Sequence, residues 1–359
     1  MINVTQTYLP DFEEYNAIVK RAWDKGWLTN HGELVQELER KLQNYLSVEH
    51  LLFCGNGTIV LQMALKALNI TKEVITTPFS YVATTNVILW EGCTPVFVDI
   101  NPATFCIDAD KIEDAITQHT QAILATHVYG LPCNVEKIQA LAAKYNLKVI
   151  YDGAHAFGCE YKGKSLLQYG DLSTCSFHAT KIFHTVEGGC IISHDAEVNQ
   201  KLLLYRSFGH TGDAYFSIGI NAKNSELHAA MGLAVLPNVT SIIAERNIAF
   251  KTYNALLPET LRKPCYDLTG FKYNYSYYPV VFESESLMQE VRENLVDNQV
   301  NTRRYFYPSL NLVPQLNGVK TSCPVSEDIS SKVLCLPLYQ GLKESDISMI
   351  SSVISESLK

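Results

Sequence analysis

Between about residues 55 and 195, short apolar runs rich in β-branched residues alternate with segments whose apolar positions recur at helical spacing. "EVITTPF" (73–79), "PVFVDI" (95–100), "QAILATHV" (121–128), "LKVIYDG" (147–153) and "CIISHD" (190–195) are expected strands. "TIVLQMALKALN" (58–69) and "NVEKIQALAAKYN" (134–146) carry apolar residues at i, i+3, i+4 and i+7, the pattern of amphipathic helices. Strands that read as nearly continuous apolar runs are covered on both faces, so the alternation predicts an α/β fold with a mostly parallel sheet between helices. Ligands of such sheets sit beyond the C-terminal ends of the strands. The residues that follow each strand are therefore the ones that bear on chemistry.

After Asn224 the texture turns helical, and residues 225–257 are long enough for two helices or one bent at Pro237. Strands near 273–282 and 333–338, with a helix over 286–298, predict a smaller C-terminal α/β unit. The expected division is a large domain over 1–240 and a small one over 241–359. Charged residues at 18% and hydrophobic ones at 47% are the balance of a soluble globular chain. A net charge of −8 with no Lys/Arg run argues against a nucleic-acid partner. The N-terminus has no basic region followed by an apolar core, and no segment is expected to reach the ~18 apolar residues of a membrane span. A cytoplasmic location is the expectation. Ten cysteines, mostly inside apolar runs and with no CxxC pair, read as reduced thiols rather than a disulfide frame or a metal site.

Three segments at strand ends carry polar groups. "FCGNGTIVLQMAL" (53–65) passes through a glycine-rich turn into a helix, where backbone N–H groups near Gly57, Thr58 and Ile59 would face an anion along the helix dipole. The same letters also describe an ordinary tight turn with a Thr58 N-cap. "VIYDGAHAFG" (149–158) ends a strand at Asp152, whose carboxylate needs a partner if buried; hydrogen bonds from the following loop would suffice. "CSFHATKIFHTVEGG" (175–189) sets Lys181 inside an aromatic run, and taken alone it is an ordinary solvated lysine. Together the phosphate turn, the acid 29 residues before the lysine and Ser176 five residues before it point to pyridoxal phosphate (PLP). The aldehyde and phosphate arm of that cofactor hang from neighbouring ring atoms, so one short segment can offer both a Schiff-base lysine, Lys181, and a phosphate-binding hydroxyl, Ser176. The ring nitrogen on the far side calls for a carboxylate from another strand end, and Asp152 is placed for it. Tyr81 in "TPFSYVATTN" could stack on the ring, or be a plain core or surface aromatic.

With those residues in view, the chain resembles over nearly its whole length the PLP-dependent sugar aminotransferases of the DegT/DnrJ/EryC1/StrS group. The matching blocks are "GWLTNHGELVQELERKL", "GNGTIVLQMAL", "TPFSYVATTN", "PVFVDI", "HVYGLPCNVEKI", "YDGAHAFG", "GDLSTCSFHATKIFHTVEGG" and "CLPLYQGL", in the family's order. The resemblance implies the aspartate-aminotransferase fold (fold type I), with a seven-stranded sheet. It also implies that Lys181 bonds the cofactor and moves the proton, that Asp152 pairs with the ring nitrogen, and that His155 lies near the ring's 3-oxygen. Ser176 with the amides of Gly57 and Thr58 would hold the phosphate, and Tyr81 would stack. Asn221 in "INAKNSELHAAMG" matches an asparagine that reaches the cofactor phosphate of a neighbouring subunit, which implies a homodimer with shared sites. Lys223 and Asn224 depart from the usual Arg-Met of that block, exchanging a planar guanidinium fork for a point charge.

By the same resemblance the amino donor is L-glutamate and the acceptor a keto sugar carried on a nucleoside diphosphate. Thr29 and Asn30 of "GWLTNHG", Lys223, and Arg304 and Tyr307 of "NTRRYFYP" are the candidates to meet the substrate, with simple surface charge the alternative for Arg303 or Arg304. The lysine block is most similar to the branch forming dTDP-4-amino-4,6-dideoxyglucose, a sugar type used in O-antigen assembly. A 3-keto or a UDP-linked 4-keto sugar remains an alternative, since pocket contacts worth ~1–3 kcal/mol can switch preference. A dehydratase branch replaces the lysine by histidine, and the lysine present here argues for transamination. A desulfurase would want a reactive cysteine on an exposed loop, and a non-catalytic PLP or nucleotide-sugar regulator would be expected to lack the lysine or the acid. No G-x-G-x-x-G turn follows the first strand, which argues against a nicotinamide domain. His178 and His184 are expected to pack against aromatic neighbours.

Overall fold

The computed structural model describes residues 1–316 and 321–359. Helices α1 (Phe12–Lys25) and α2 (Glu33–Leu46) lead into β1 (His50–Cys54), α3 (Gly57–Ala67), β2 (Glu73–Thr76), α4 (Val82–Trp90) and β3 (Thr94–Phe97). Then come β4 (Thr120–Thr126), α5 (Val135–Tyr145), β5 (Lys148–Asp152), β6 (Leu172–Ser176), β7 (Gly189–Ser193) and α6 (Ala196–Arg206). These seven strands form one sheet in the order β1-β7-β6-β5-β4-β2-β3. Only β7 runs antiparallel to its neighbours, so the sheet is mostly parallel as expected. Its two faces bury alternate residues: Ile123, Ala125, Val149 and Tyr151 enter one core cluster, and Ala122, Leu124 and Ile150 the other. That two-sided burial is why the strands read as apolar runs without polar alternation. The register sets Thr126 beside Asp152 and Asp152 beside Thr174, which brings the C-terminal ends of β4, β5 and β6 to one edge.

Helices α7 (Glu226–Val235) and α8 (Val239–Leu256) are joined by a 3-10 turn at Leu236–Asn238 that contains Pro237. Contrary to the expectation that no stretch would qualify, Glu226–Leu256 is long and apolar enough by composition to cross a membrane. Its apolar residues are already used: Ala229, Ala230, Leu233, Val239 and Ile242 share a core cluster with Leu34, Leu38 and Leu42 of α2. Farther along, β8 (Tyr278–Val281), α9 (Glu285–Asp297), α10 (Pro324–Lys332), β9 (Val333–Leu336) and α11 (Glu344–Ser357) complete the chain. Strands β8 and β9 pair antiparallel. Phe250, Tyr253, Met288, Val291, Leu295, Ile347 and Ile350 pack with them in a separate core cluster. Nine of the ten cysteines are buried, Cys265 is exposed, and all are free thiols.

Two buried carboxylates fix α2 in place, Glu226 against α7 and Glu39 against β1 and α6. Glu226 accepts the N–H groups of Leu34 and Val35 at 2.7 and 3.3 Å, so the start of α2 is capped from α7, where a negative charge is favoured. Gly32 permits this approach, because a Cβ there would lie 2.7 Å from the Glu226 carboxyl carbon. Glu39 accepts Arg206 Nη1 at 2.6 Å and the Phe53 N–H at 2.8 Å on one oxygen, while His31 Nε2 lies 2.7 Å from the other. Burial alone would raise the Glu39 pKa, but the His31 hydrogen bond and the Arg206 charge bring it below its ordinary value of 4.5. A depressed acid stabilises the fold fully above its unfolded pKa and loses that contribution as the pH falls through the folded value. Glu39→Ala leaves the Arg206 guanidinium buried without its counter-charge, and urea unfolding at pH 7 is expected to show a loss of about 3–5 kcal/mol. The loss should shrink below pH 4.5; an unchanged midpoint at pH 7 would mean that the pair adds nothing to stability.

Candidate active site

Strand β5 ends at Asp152 and β6 at Ser176, while β1 ends just ahead of the turn into α3. The three ends open onto one cavity of about 370 Å³. Of the residues singled out from sequence, Gly57, Thr58, Tyr81, Asp152, His155, Ser176 and Lys181 line it.

Lys181 stands on the loop between β6 and β7, and the aromatic run around it is what holds that loop. Phe183 packs edge-on to Phe177 at 4.7 Å and stacks on Phe157 at 4.6 Å, with all three rings buried. The loop backbone closes on itself through Thr185 N–H to Phe177 O at 2.9 Å and Ala179 N–H to Val186 O at 2.7 Å. The lysine is the polar exception in this apolar anchor and projects toward the cavity. Burial holds its amine below the ordinary lysine pKa, with Asp152 pulling the other way. Asp152 is only 6% exposed, and its two oxygens accept from Thr84 Oγ1 at 2.7 Å and Ala154 N–H at 3.0 Å. Those bonds fix the plane of the carboxylate.

His155 is buried, and burial lowers its pKa well below the usual value, the Lys181 charge adding to the effect. Its Nδ1 lies 3.2 Å from the Tyr129 N–H, which Tyr129 aims at it from a left-handed backbone at φ 56°. Nδ1 is therefore the acceptor, and Nε2 carries the proton as a donor. At the opposite wall Asn56 caps α3, its Oδ1 accepting the Ile59 N–H at 2.8 Å. The alternative of a Thr58 cap gives way to Asn56, two residues earlier, which leaves Gly57 and Thr58 in the first helical turn, where N–H groups have no partner inside the helix. Gly57 is required there, because a Cβ would lie 2.9 Å from that of Ser176. The close approach puts a hydroxyl beside the helix N-terminus. Tyr81 is 61% exposed at the start of α4 with its ring on the cavity wall.

This donor set fits pyridoxal phosphate. An amine and a hydroxyl come from one loop, helix-start N–H groups stand beside the hydroxyl, and a carboxylate and a neutral imidazole come from a neighbouring strand end. The residues named for the substrate, and Asn221, named for a neighbouring subunit's cofactor phosphate, lie elsewhere. Thr29 and Asn30 are exposed in the α1–α2 turn, and Asn221 is exposed and bridged to Ser207. Lys223 Nζ sits 4.6 Å over the Phe208 ring. Arg304 is drawn away from the cavity: its guanidinium bonds Glu285 at 2.7 Å and Ser331 O at 2.8 Å and lies 3.3 Å over the Tyr307 ring. Arg303 and Tyr305 line the cavity in the place expected for Arg304 and Tyr307.

Sequence reasoning did not single out Thr84, Glu187 or Tyr277. Thr84 had a signal, being one turn after Tyr81 on the same helix; Tyr277 had none, since it arrives from the far end of the chain. His178 does not pack as an aromatic. It lines the cavity with Nδ1 2.8 Å from Thr180 Oγ1 and Nε2 3.6 Å from the Glu187 carboxylate. His184 is a structural tie, donating from Nε2 to Tyr8 O at 2.7 Å. Among the described residues no cluster of His, Cys, Asp or Glu could hold a metal ion.

Known proteins place the chain in a family. A model of the DegT/DnrJ/EryC1/StrS aminotransferase family matches residues 11–355. The chain is 42% identical to a dTDP-4-amino-4,6-dideoxy-D-glucose transaminase of Shigella dysenteriae, over 99% of this chain and 98% of that one. It is 40% identical to a protein of the same name from Escherichia coli, over 98% of each. Among solved structures, DesI in the presence of its TDP-sugar product superposes with a TM-score of 0.93 at 30% identity, covering 98% of this chain and 92% of that one. The chain belongs to the DegT/DnrJ/EryC1/StrS aminotransferase family and is a pyridoxal-phosphate-dependent transaminase.

Proposed function

We propose that this transaminase moves an amino group from L-glutamate to the keto group of dTDP-4-keto-6-deoxy-D-glucose, giving dTDP-4-amino-4,6-dideoxy-D-glucose. The observation that carries the reading is near-full-length identity of 40–42% to two transaminases of that product. The lysine, acid and phosphate turn that meet in one cavity support it. When bound, the cofactor supplies an electron sink for the bonds of the amino carbon. Lys181 would hold it covalently through Nζ. The same amine when free, its pKa lowered by burial, would take the proton from the donor Cα and pass it on. Asp152 would keep a proton on the ring nitrogen, and His155 would donate from Nε2 to the ring oxygen. Ser176 and the N–H groups of Gly57 and Thr58 would bind the phosphate, with Tyr81 against the ring. With the keto sugar as acceptor the same groups act in reverse order.

We further infer a homodimer with shared sites and a chain divided at about residue 240. Asn221 and Lys223 stand outside this subunit's own cavity, just after a segment whose Tyr215, Phe216, Ile218 and Ile220 are exposed. A second copy covering that segment would receive Asn221 at its cofactor phosphate and Lys223, with Thr29 and Asn30, at its substrate. The reaction belongs in the cytoplasm, among enzymes that build sugars for surface polysaccharides such as O-antigen.

The test is product analysis with glutamate and a panel of dTDP-4-keto, dTDP-3-keto and UDP-4-keto sugars. Conversion of the dTDP-4-keto-6-deoxy sugar with release of 2-oxoglutarate is expected. Turnover of only a 3-keto or a UDP-linked sugar would overturn the substrate and leave the transaminase standing.

A further inference from the structure

We propose that Tyr277 is a positioning residue for the reaction, its hydroxyl oxygen accepting a hydrogen bond from the Lys181 amine whenever that amine is not bonded to the cofactor. The inference rests on Lys181 being the reactive lysine. The Tyr277 oxygen lies 3.4 Å from Lys181 Nζ and is, among the described residues, the amine's one hydrogen-bond partner. Nothing about this tyrosine is loose. Its backbone is clamped by the Tyr273 hydroxyl, which donates to Tyr277 O at 3.1 Å and lies 3.4 Å from Tyr277 N. Its ring is wedged among His155 at 4.7 Å, Tyr305 at 5.5 Å and Tyr129 at 5.6 Å.

A lysine amine that leaves a carbon atom and must return to it in every cycle has four side-chain torsions through which to wander. A fixed acceptor shortens that search, which is a matter of orientation rather than of new chemistry. The groups facing the amine from the surrounding elements are Asp152, His155, Cys175, Tyr81 and Tyr305. Of these, Asp152 spends both oxygens on Thr84 and Ala154. Burial raises the Tyr277 phenol above its ordinary pKa, so it stays protonated and presents a lone pair to the amine. An acceptor for the amine favours the charged form; its removal therefore lowers the lysine pKa.

The experiment measures the pH dependence of Lys181 acylation in the full-length chain freed of cofactor, site-resolved by mass spectrometry. In Tyr277→Phe the midpoint should fall by about 0.5–1 pH unit, the size of one modest hydrogen bond. With cofactor restored, the glutamate half-reaction should slow about tenfold. A fluorotyrosine placed at 277, a weaker acceptor, should move the midpoint down by less. Tyr305→Phe removes a hydroxyl that faces the lysine without bonding it, and its midpoint should move less than that of Tyr277→Phe. Unchanged midpoints in both Tyr277 variants, or an equal fall in Tyr305→Phe, would overturn the proposal. Acylation reports on Tyr277 without the cofactor, whereas absorbance of Lys181→Ala tests the lysine itself, so the two failures are distinguishable.

Discussion

Lys181→Ala is expected to abolish the absorbance band near ~410–430 nm that the full-length protein shows with PLP, and to cut transamination by at least about 10⁴-fold. Two roles fall together on this side chain, covalent attachment and proton transfer. No other lysine lines the cavity among the described residues, so none can take them over. The fold should survive the change. Lys181 makes no ion pair among the described residues, and the loop around it is held by Phe157, Phe177 and Phe183 together with its own backbone bonds. Burying an amine is itself costly, as its lowered pKa reflects, so the thermal midpoint should be equal or slightly higher. Survival of the band in the variant would show that another amine binds the cofactor.

Asp152→Asn is expected to slow both half-reactions by about 10²–10³-fold while the cofactor band is retained. The substitution is nearly isosteric, and an amide oxygen can still accept from Thr84 or Ala154, so the wall of the cavity should keep its shape. What disappears is the negative charge that would hold a proton on the ring nitrogen, and with it the electron sink. The readout that separates this from a packing defect is the spectrum: the protein should bind cofactor and form the band, yet lose it far more slowly when glutamate is added. Near-normal rates in Asp152→Asn would mean that the carboxylate only shapes the loop after β5, the alternative left open by the sequence.

The site was legible to different depths. Lys181, Asp152 and Ser176 were readable because each ends or follows a strand of a two-sided sheet, where position along the chain nearly dictates position in space. Their convergence on one cavity follows from the parallel register that sets Thr126, Asp152 and Thr174 side by side. The Asn56 cap escaped because the letters Asn-Gly-Thr offer two residues able to cap a helix, and only the backbone chooses between them. Arg303 and Arg304 are adjacent and chemically alike. Glu285, at the start of a helix 19 residues earlier, captures Arg304 and leaves Arg303 to line the cavity.

The amino-acid sequence by itself determined the layered α/β plan and the chemistry of the lysine loop. Burial on two faces leaves its mark in every residue of a strand, and a rare juxtaposition of lysine, hydroxyl and glycines is local. Only the tertiary structure decided which tautomer His155 adopts, which arginine faces the cavity and that Tyr277 meets Lys181. Each of those depends on groups 26, 19 or 96 residues apart, brought within reach by packing that no short window of sequence encodes.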